Sequence, residues 1–99
     1  MLLAVTYAHL GRKGDALREG LRAVQTLPVS RDPIDGTDLQ EDLAYVEMLV
    51  GENDAAVRRL GYLLTIPSDV SVPILRADPM WDPLRSNPRF QQLLATPTR

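Results

Sequence analysis

His9 is the single histidine of the chain and there is no cysteine, so a thiol nucleophile, a thiolate metal site and a multi-histidine site are all excluded. No serine stands beside His9 in sequence to form a nucleophile–base pair. Carboxylates crowd one stretch: Asp32, Asp35, Asp38, Glu41 and Asp42. A calcium loop needs oxygen ligands at alternate positions before its glycine, and Arg31 and Pro33 stand where ligands would be wanted. The stretch reads instead as turn residues followed by a helix start, where negative charge opposes the positive end of the helix dipole. Gly11-Arg12-Lys13-Gly14 is glycine-rich but lacks the spacing of a phosphate loop. Trp81 and Phe90 are weighed as a ligand box and read as packing residues. These residues predict no enzyme, no metal site and no cofactor.

The elements that carry these residues are helical. Residues 2–10 form an apolar run that stops at Gly11, placed as the left-handed residue that closes a helix. Over residues 14–27, Ala16, Leu17, Gly20, Leu21, Ala23, Val24 and Leu27 line one helical face. Over residues 38–50 the stripe is Leu39, Leu43, Val46 and Val50, with Thr37 and Gln40 spaced as a capping box. Gly51 closes that helix as Gly11 closes the first, and Asn53 is the expected cap of a helix over 54–66.

The pattern repeats. Leu3, Ala4, Tyr7, Gly11, Ala16, Gly20 and Ala23 recur as Leu43, Ala44, Glu47, Gly51, Ala56, Leu60 and Leu63 in one constant register. Leu3/Leu43, Ala4/Ala44, Gly11/Gly51 and Ala16/Ala56 are identities, and the closing prolines are Pro28 and Pro67. Each unit is therefore a helix, a tight turn and a second helix, with small residues where antiparallel helices approach closely.

On these residues, 1–67 resembles the tetratricopeptide repeat, a helix-turn-helix unit of alpha solenoids. Glu47 stands where the family pattern has a tyrosine, Gly20 where it has a large apolar residue, and residues 29–37 lengthen the connection. The stretch Asp78-Pro79-Met80-Trp81-Asp82-Pro83-Leu84-Arg85-Ser86-Asn87-Pro88-Arg89-Phe90-Gln91-Gln92-Leu93-Leu94 resembles the segment that closes such arrays in bacterial multidomain proteins of the kinase, cyclase and regulator type. The fold expected is all-α: two tetratricopeptide-like hairpins in a right-handed solenoid, plus a short capping tail. Its parts are a first repeat over 1–28 with a truncated first helix, a connector loop over 29–37, a second repeat over 38–67 and a tail over 68–99. In the tail, a short helix over 70–76 and a last helix over 88–95, capped by Asn87 with Pro88 behind it, are expected to bring Trp81 and Leu84 onto the pair at 38–66.

The resemblance implies a protein–protein interaction scaffold in which the first helix of each unit lines a concave face. That places Val5 and His9, with Glu41, Tyr45, Met48 and Leu49, in a groove suited to an apolar or basic peptide or helix. The alternative is a self-association module forming the C-terminal end of a larger bacterial signalling or regulatory protein. In it, the apolar start, Leu2 and Leu3, pairs two copies into a homodimer. Arg18, Arg22, Arg58 and Arg59 are expected on a solvated outer face. A sum of 11 basic against 13 acidic residues argues against a nucleic-acid partner. The opening apolar run is too short for a signal peptide, and no run approaches the ~20 apolar residues of a membrane span. The expected location is the cytoplasm, with no membrane partner.

Overall fold

The computed structural model describes residues 1–28 and 31–95, and among these every regular element is helical. The order is α1 (Leu2–His9), α2 (Lys13–Thr26), α3 (Pro33–Leu49), α4 (Asn53–Leu63), α5 (Val72–Ala77), a 3₁₀ helix (Pro79–Leu84) and α6 (Pro88–Ala95). α1 lies along α2 and α3 along α4. α3 also packs on α2 and, at fewer points, on α1. α5, the 3₁₀ helix and α6 close over the far side of the α3–α4 pair.

The two turns within the pairs form for the expected reason. Gly11 and Gly51 have φ of 75° and 88°, the left-handed region that glycine enters without a Cβ penalty. In both, the turn is closed the same way: Gly11 N–H donates to the Ala8 carbonyl and Gly51 N–H to the Met48 carbonyl, each at 3.1 Å. Gly20 has a different role. A Cβ there would lie 2.7 Å from Leu43 Cδ1, so its small size lets α2 and α3 approach at the buried Leu43.

Several boundaries differ from those read in the sequence, α4 ending at Leu63 rather than at 66 and α5 running over Val72–Ala77 rather than 70–76. α3 begins at Pro33, not after a capping box at Thr37. Asp32 caps it, accepting from the Asp35 N–H at 3.0 Å, and Pro33 takes the first helical position, where its missing N–H costs nothing. Thr37 lies inside the helix and is buried. Residues 33–37 of the expected connector are thus helical, while residues 29 and 30 lie outside the described residues, as do 96–99 of the tail. α4 includes Asn53. The cap position is Glu52, whose carboxylate pairs with Lys13 across the two units rather than capping. In the tail, Pro79–Leu84 forms a 3₁₀ helix that the sequence pattern did not show. Asp78 starts it by accepting from the Met80 N–H at 3.0 Å.

The tail otherwise follows its residues. Ser71 caps α5, and Asn87 Oδ1 accepts from the N–H groups of Arg89 and Phe90 ahead of Pro88. Arg85 fastens the pieces together. Its guanidinium donates to the carbonyls of Leu75 and Asp78 at 3.0 and 2.8 Å and to Asp82 Oδ1 at 2.8 Å. Trp81, Leu84 and Phe90 are fully buried with Ala44, Met48, Ala56, Val57, Leu60 and Leu63. Trp81 and Leu84 therefore cover the α3–α4 pair as expected.

Candidate functional site

α3 is the helix on which most of the expected groove residues sit, and its faces point to different surroundings. Leu43 and Val46 are buried toward the first pair, and Ala44 toward α4 and the tail. Glu41, Tyr45 and Met48 recur at helical spacing on a further stripe. The tail covers the lower part of that stripe. Tyr45 meets the edge of Trp81, ring centroids 6.2 Å apart and planes at 87°, and Met48 is only 5% exposed within the same core. Met48 is thus a core residue rather than a groove contact, because the 3₁₀ helix occupies the space a ligand would need. Leu49 is half-buried between the two cores, Val5 is half-buried against the first, and His9 is exposed at the end of α1.

What stays open at the upper part of the stripe is acidic. Glu41 is half-buried, and its carboxyl is held above its ordinary pKa first by burial and then by repulsion from Asp42, Asp38, Asp69 and Asp78. Asp42 is raised by burial and by Asp38, while the amino group of Met1 pulls it the other way. Asp38, Glu41 and Asp42 thus act on one another along α3, and Asp69, from the α4–α5 connection, and Asp78, the cap of the 3₁₀ helix, add to the field at Glu41. Among the described residues Asp38, Glu41, Asp42 and Asp69 form no ion pair, whereas Asp15, Glu19, Glu47, Glu52 and Asp82 each face an arginine or lysine. No group of acidic and histidine side chains among the described residues is placed to hold a metal ion.

Two further depressions flank the helices. One, of about 370 Å³, lies between α3 and α4 and is lined by Gln40, Glu47, Ala55, Arg58, Arg59 and Tyr62. At its floor Arg59 Nε donates to Glu47 Oε1 at 2.8 Å, and Arg59 Nη1 donates to Gln40 Oε1. Arg59 is therefore not the solvated surface residue its position on a second helix suggested. It neutralises a glutamate whose side chain is only 9% exposed. The other depression, of about 320 Å³, opens where α1, α2 and α3 meet, and Met1, Leu3, Ala4, Ala23, Leu27 and Leu39 form its apolar lining. Leu2 beside it is 82% exposed and Leu3 49%.

Among the described residues no helix is long and apolar enough to cross a membrane. Comparison with known protein families, with characterised proteins and with solved structures finds no match in any of the three.

Proposed function

We propose that the chain is a non-catalytic scaffold of the tetratricopeptide type that binds a basic segment of a partner protein along the acidic stripe of α3. The observation that carries this reading is the set of carboxylates Asp38, Glu41, Asp42 and Asp69, gathered from two parts of the chain, without an ion pair to an arginine or lysine among the described residues and opposed only by the Met1 amine near Asp42. Folding has brought like charges together at a cost, and a lysine- or arginine-rich segment relieves it. The two-unit register, with left-handed glycines at Gly11 and Gly51, supports the tetratricopeptide reading. The buried Met48 and the Trp81-covered Tyr45 shift the binding surface from the centre of the expected groove toward Glu41.

The test is fluorescence anisotropy with a labelled lysine-rich amphipathic peptide and an acidic peptide of equal length. The lysine-rich peptide is expected to bind with an affinity that falls as salt rises, and the acidic one not to bind. Glu41→Lys with Asp42→Lys is expected to weaken binding about tenfold or more, since two attractions become repulsions. Equal binding of both peptides, or an undiminished affinity in the double variant, overturns the reading.

A further inference from the structure

Ala55, Arg58, Arg59 and Tyr62 share one face of α4 at helical spacing, and Gln40 and Glu47 meet them from α3. Together they line the depression of about 370 Å³, which is open to solvent. Its acceptors are already used. Glu47, whose side chain is 9% exposed, takes Arg59 Nε on Oε1 at 2.8 Å and Arg59 Nη2 on Oε2 at 3.4 Å. The Gln40 side-chain oxygen accepts from Arg59 Nη1. Its donors are not used up. Among the described residues the Arg58 guanidinium, the Gln40 amide nitrogen and the Tyr62 hydroxyl have no hydrogen-bond or ionic partner, and each terminal nitrogen of Arg59 keeps a second N–H. The charges of Glu47 and Arg59 cancel. The lining is thus net positive by the charge of Arg58, in a chain whose net charge is −2.

Open space, a positive charge and a surplus of donors are what an oxyanion needs. A carboxylate offers two oxygens. A phosphate group offers three acceptor oxygens and a charge of about −1.5 to −2, a closer match to donors arriving from four side chains on two helices. We propose that this depression binds a phosphate group, with Arg58 supplying the charge and Arg59, Gln40 and Tyr62 the further hydrogen bonds. Glu47 and Gln40 already hold the Arg59 fork in place, so its ordering costs little on binding. The space exceeds a bare phosphate, and Ala55 and the half-exposed Tyr62 ring offer a wall for the rest of a phosphate monoester. None of the stripe carboxylates lines the depression, so this inference goes beyond the scaffold reading and stands without it.

The test is an NMR titration of the 99-residue chain at neutral pH with inorganic phosphate, phenyl phosphate and acetate, read at the Arg59 Nε–H and the α4 amides. Phosphate is expected to shift these signals saturably, and acetate to bind about tenfold more weakly. Phenyl phosphate binding more tightly than inorganic phosphate assigns the site to a monoester, and equal binding assigns it to the free ion; both support the proposal. Arg58→Gln is expected to weaken phosphate about tenfold and to leave the helical circular dichroism unchanged, because that side chain is exposed. Arg89→Gln is the control, an exposed arginine of α6 without an ion pair among the described residues, and is expected to change nothing. The absence of a saturable shift with either phosphate overturns the proposal. So does acetate binding as tightly as phosphate, or a loss in Arg89→Gln equal to that in Arg58→Gln, which would show diffuse charge attraction rather than a site.

Discussion

The α1–α2 pair and the α3–α4 pair start from matching residues and are held by different means. Ala4 and Ala16 in the first correspond to Ala44 and Ala56 in the second, and all four are fully buried. Around Ala44 and Ala56 the core goes on to include Leu60, Leu63, Leu75, Leu84, Trp81 and Phe90. Around Ala4 and Ala16, among the described residues, it adds Ala8 and Val46, with Leu43 buried against Gly20 and Met1, Val5, Tyr7, Leu49 and Val50 at the margin. A repeat buries its apolar face only through its neighbours. Among the described residues the second pair packs against both the first pair and the tail, and the first pair against the second. Identical small residues permit a helical hairpin, and what lies on its outer side decides how much apolar area the hairpin shields from water.

Removing the aromatic that makes the difference is the largest test of this contrast. Trp81→Ala is expected to cost about 3–5 kcal/mol, as for other large buried side chains. That is a large part of the total stability of a domain of this size. Leu3→Ala in the first pair, where the side chain is half in water, is expected to cost under about 1 kcal/mol. Urea unfolding followed by circular dichroism measures both. Trp81→Phe refines the comparison. The indole N–H is buried without a hydrogen-bond partner among the described residues. Losing an unpaired donor offsets part of the lost packing, so phenylalanine is expected to cost less than about 1.5 kcal/mol. Comparable losses for Trp81→Ala and Leu3→Ala would mean that the tail does not distinguish the two pairs.

The next contrast is chemical. Tyr7 and Glu47 occupy corresponding positions. The tyrosine ring lies under the Arg12 guanidinium, 4.8 Å from its centroid, and the glutamate is bound by Arg59. Arg59→Leu would leave Glu47 charged and mostly buried. The expected loss is about 2 kcal/mol, below the range for a fully buried pair because the guanidinium remains partly in water. Replacing both residues, Glu47→Met with Arg59→Met, is expected to return stability to within about 1 kcal/mol of the parent, since apolar side chains of similar length need no counter-charge. A double variant as unstable as Arg59→Leu alone would mean that the ion pair holds α3 and α4 in a way packing cannot replace.

These contrasts also show what was legible in the chain. The repeat register, the two left-handed glycines and the Asn87 cap follow from residue types at fixed local spacing, whereas the packing of Trp81 onto the second pair follows from the expectation that a tail closes the helix pairs. The start of α3 departs from the sequence pattern because Thr37 and Gln40 offer a plausible cap, while Asp32-Pro33, a better one, lies inside a stretch whose composition resembles a loop. Met48 departs from its expected place in the groove for a different reason. Helical spacing tells which residues share a face but not what arrives to cover it, and Trp81 reaches that face from more than thirty positions away, as the numbering in the sequence shows. The Glu47–Arg59 pair was hidden in the same manner. Its partners sit on different helices, and only the approach of α3 to α4 reveals that a glutamate at a tyrosine position has a cation waiting. The acidic stripe was legible in part: Asp38, Glu41 and Asp42 were read as helix-start chemistry, but Asp69 and Asp78 join them only in the folded chain.

The smallest expected effect concerns that stripe, and its sign follows from the direction of the shifts. Glu41 and Asp42 hold their protons more readily in the folded protein than in the unfolded chain, because burial and the neighbouring carboxylates disfavour the charged forms. Between their unfolded and folded titrations the folded state therefore binds more protons, and stability falls as pH rises through that window. The penalty is fully present at neutral pH and is relieved as pH falls toward the Glu41 titration. The groups facing Glu41 and Asp42 from α3, the α4–α5 connection, the 3₁₀ helix and the amino terminus are Asp38, Asp69, Asp78 and the Met1 amine, and only the amine opposes the effect. Both side chains touch solvent, so the expected gain is small, a few tenths of a kcal/mol or about that. Glu41→Gln with Asp42→Asn is expected to raise the urea midpoint at neutral pH and to flatten its dependence on pH on the acid side of neutrality. The same variant is expected to bind the lysine-rich peptide more weakly, so the paired substitutions would gain stability and lose affinity together. A variant that loses stability at neutral pH would mean that these carboxylates stabilise the fold, and the contrast between a structural tail side and a binding α3 stripe would then fail.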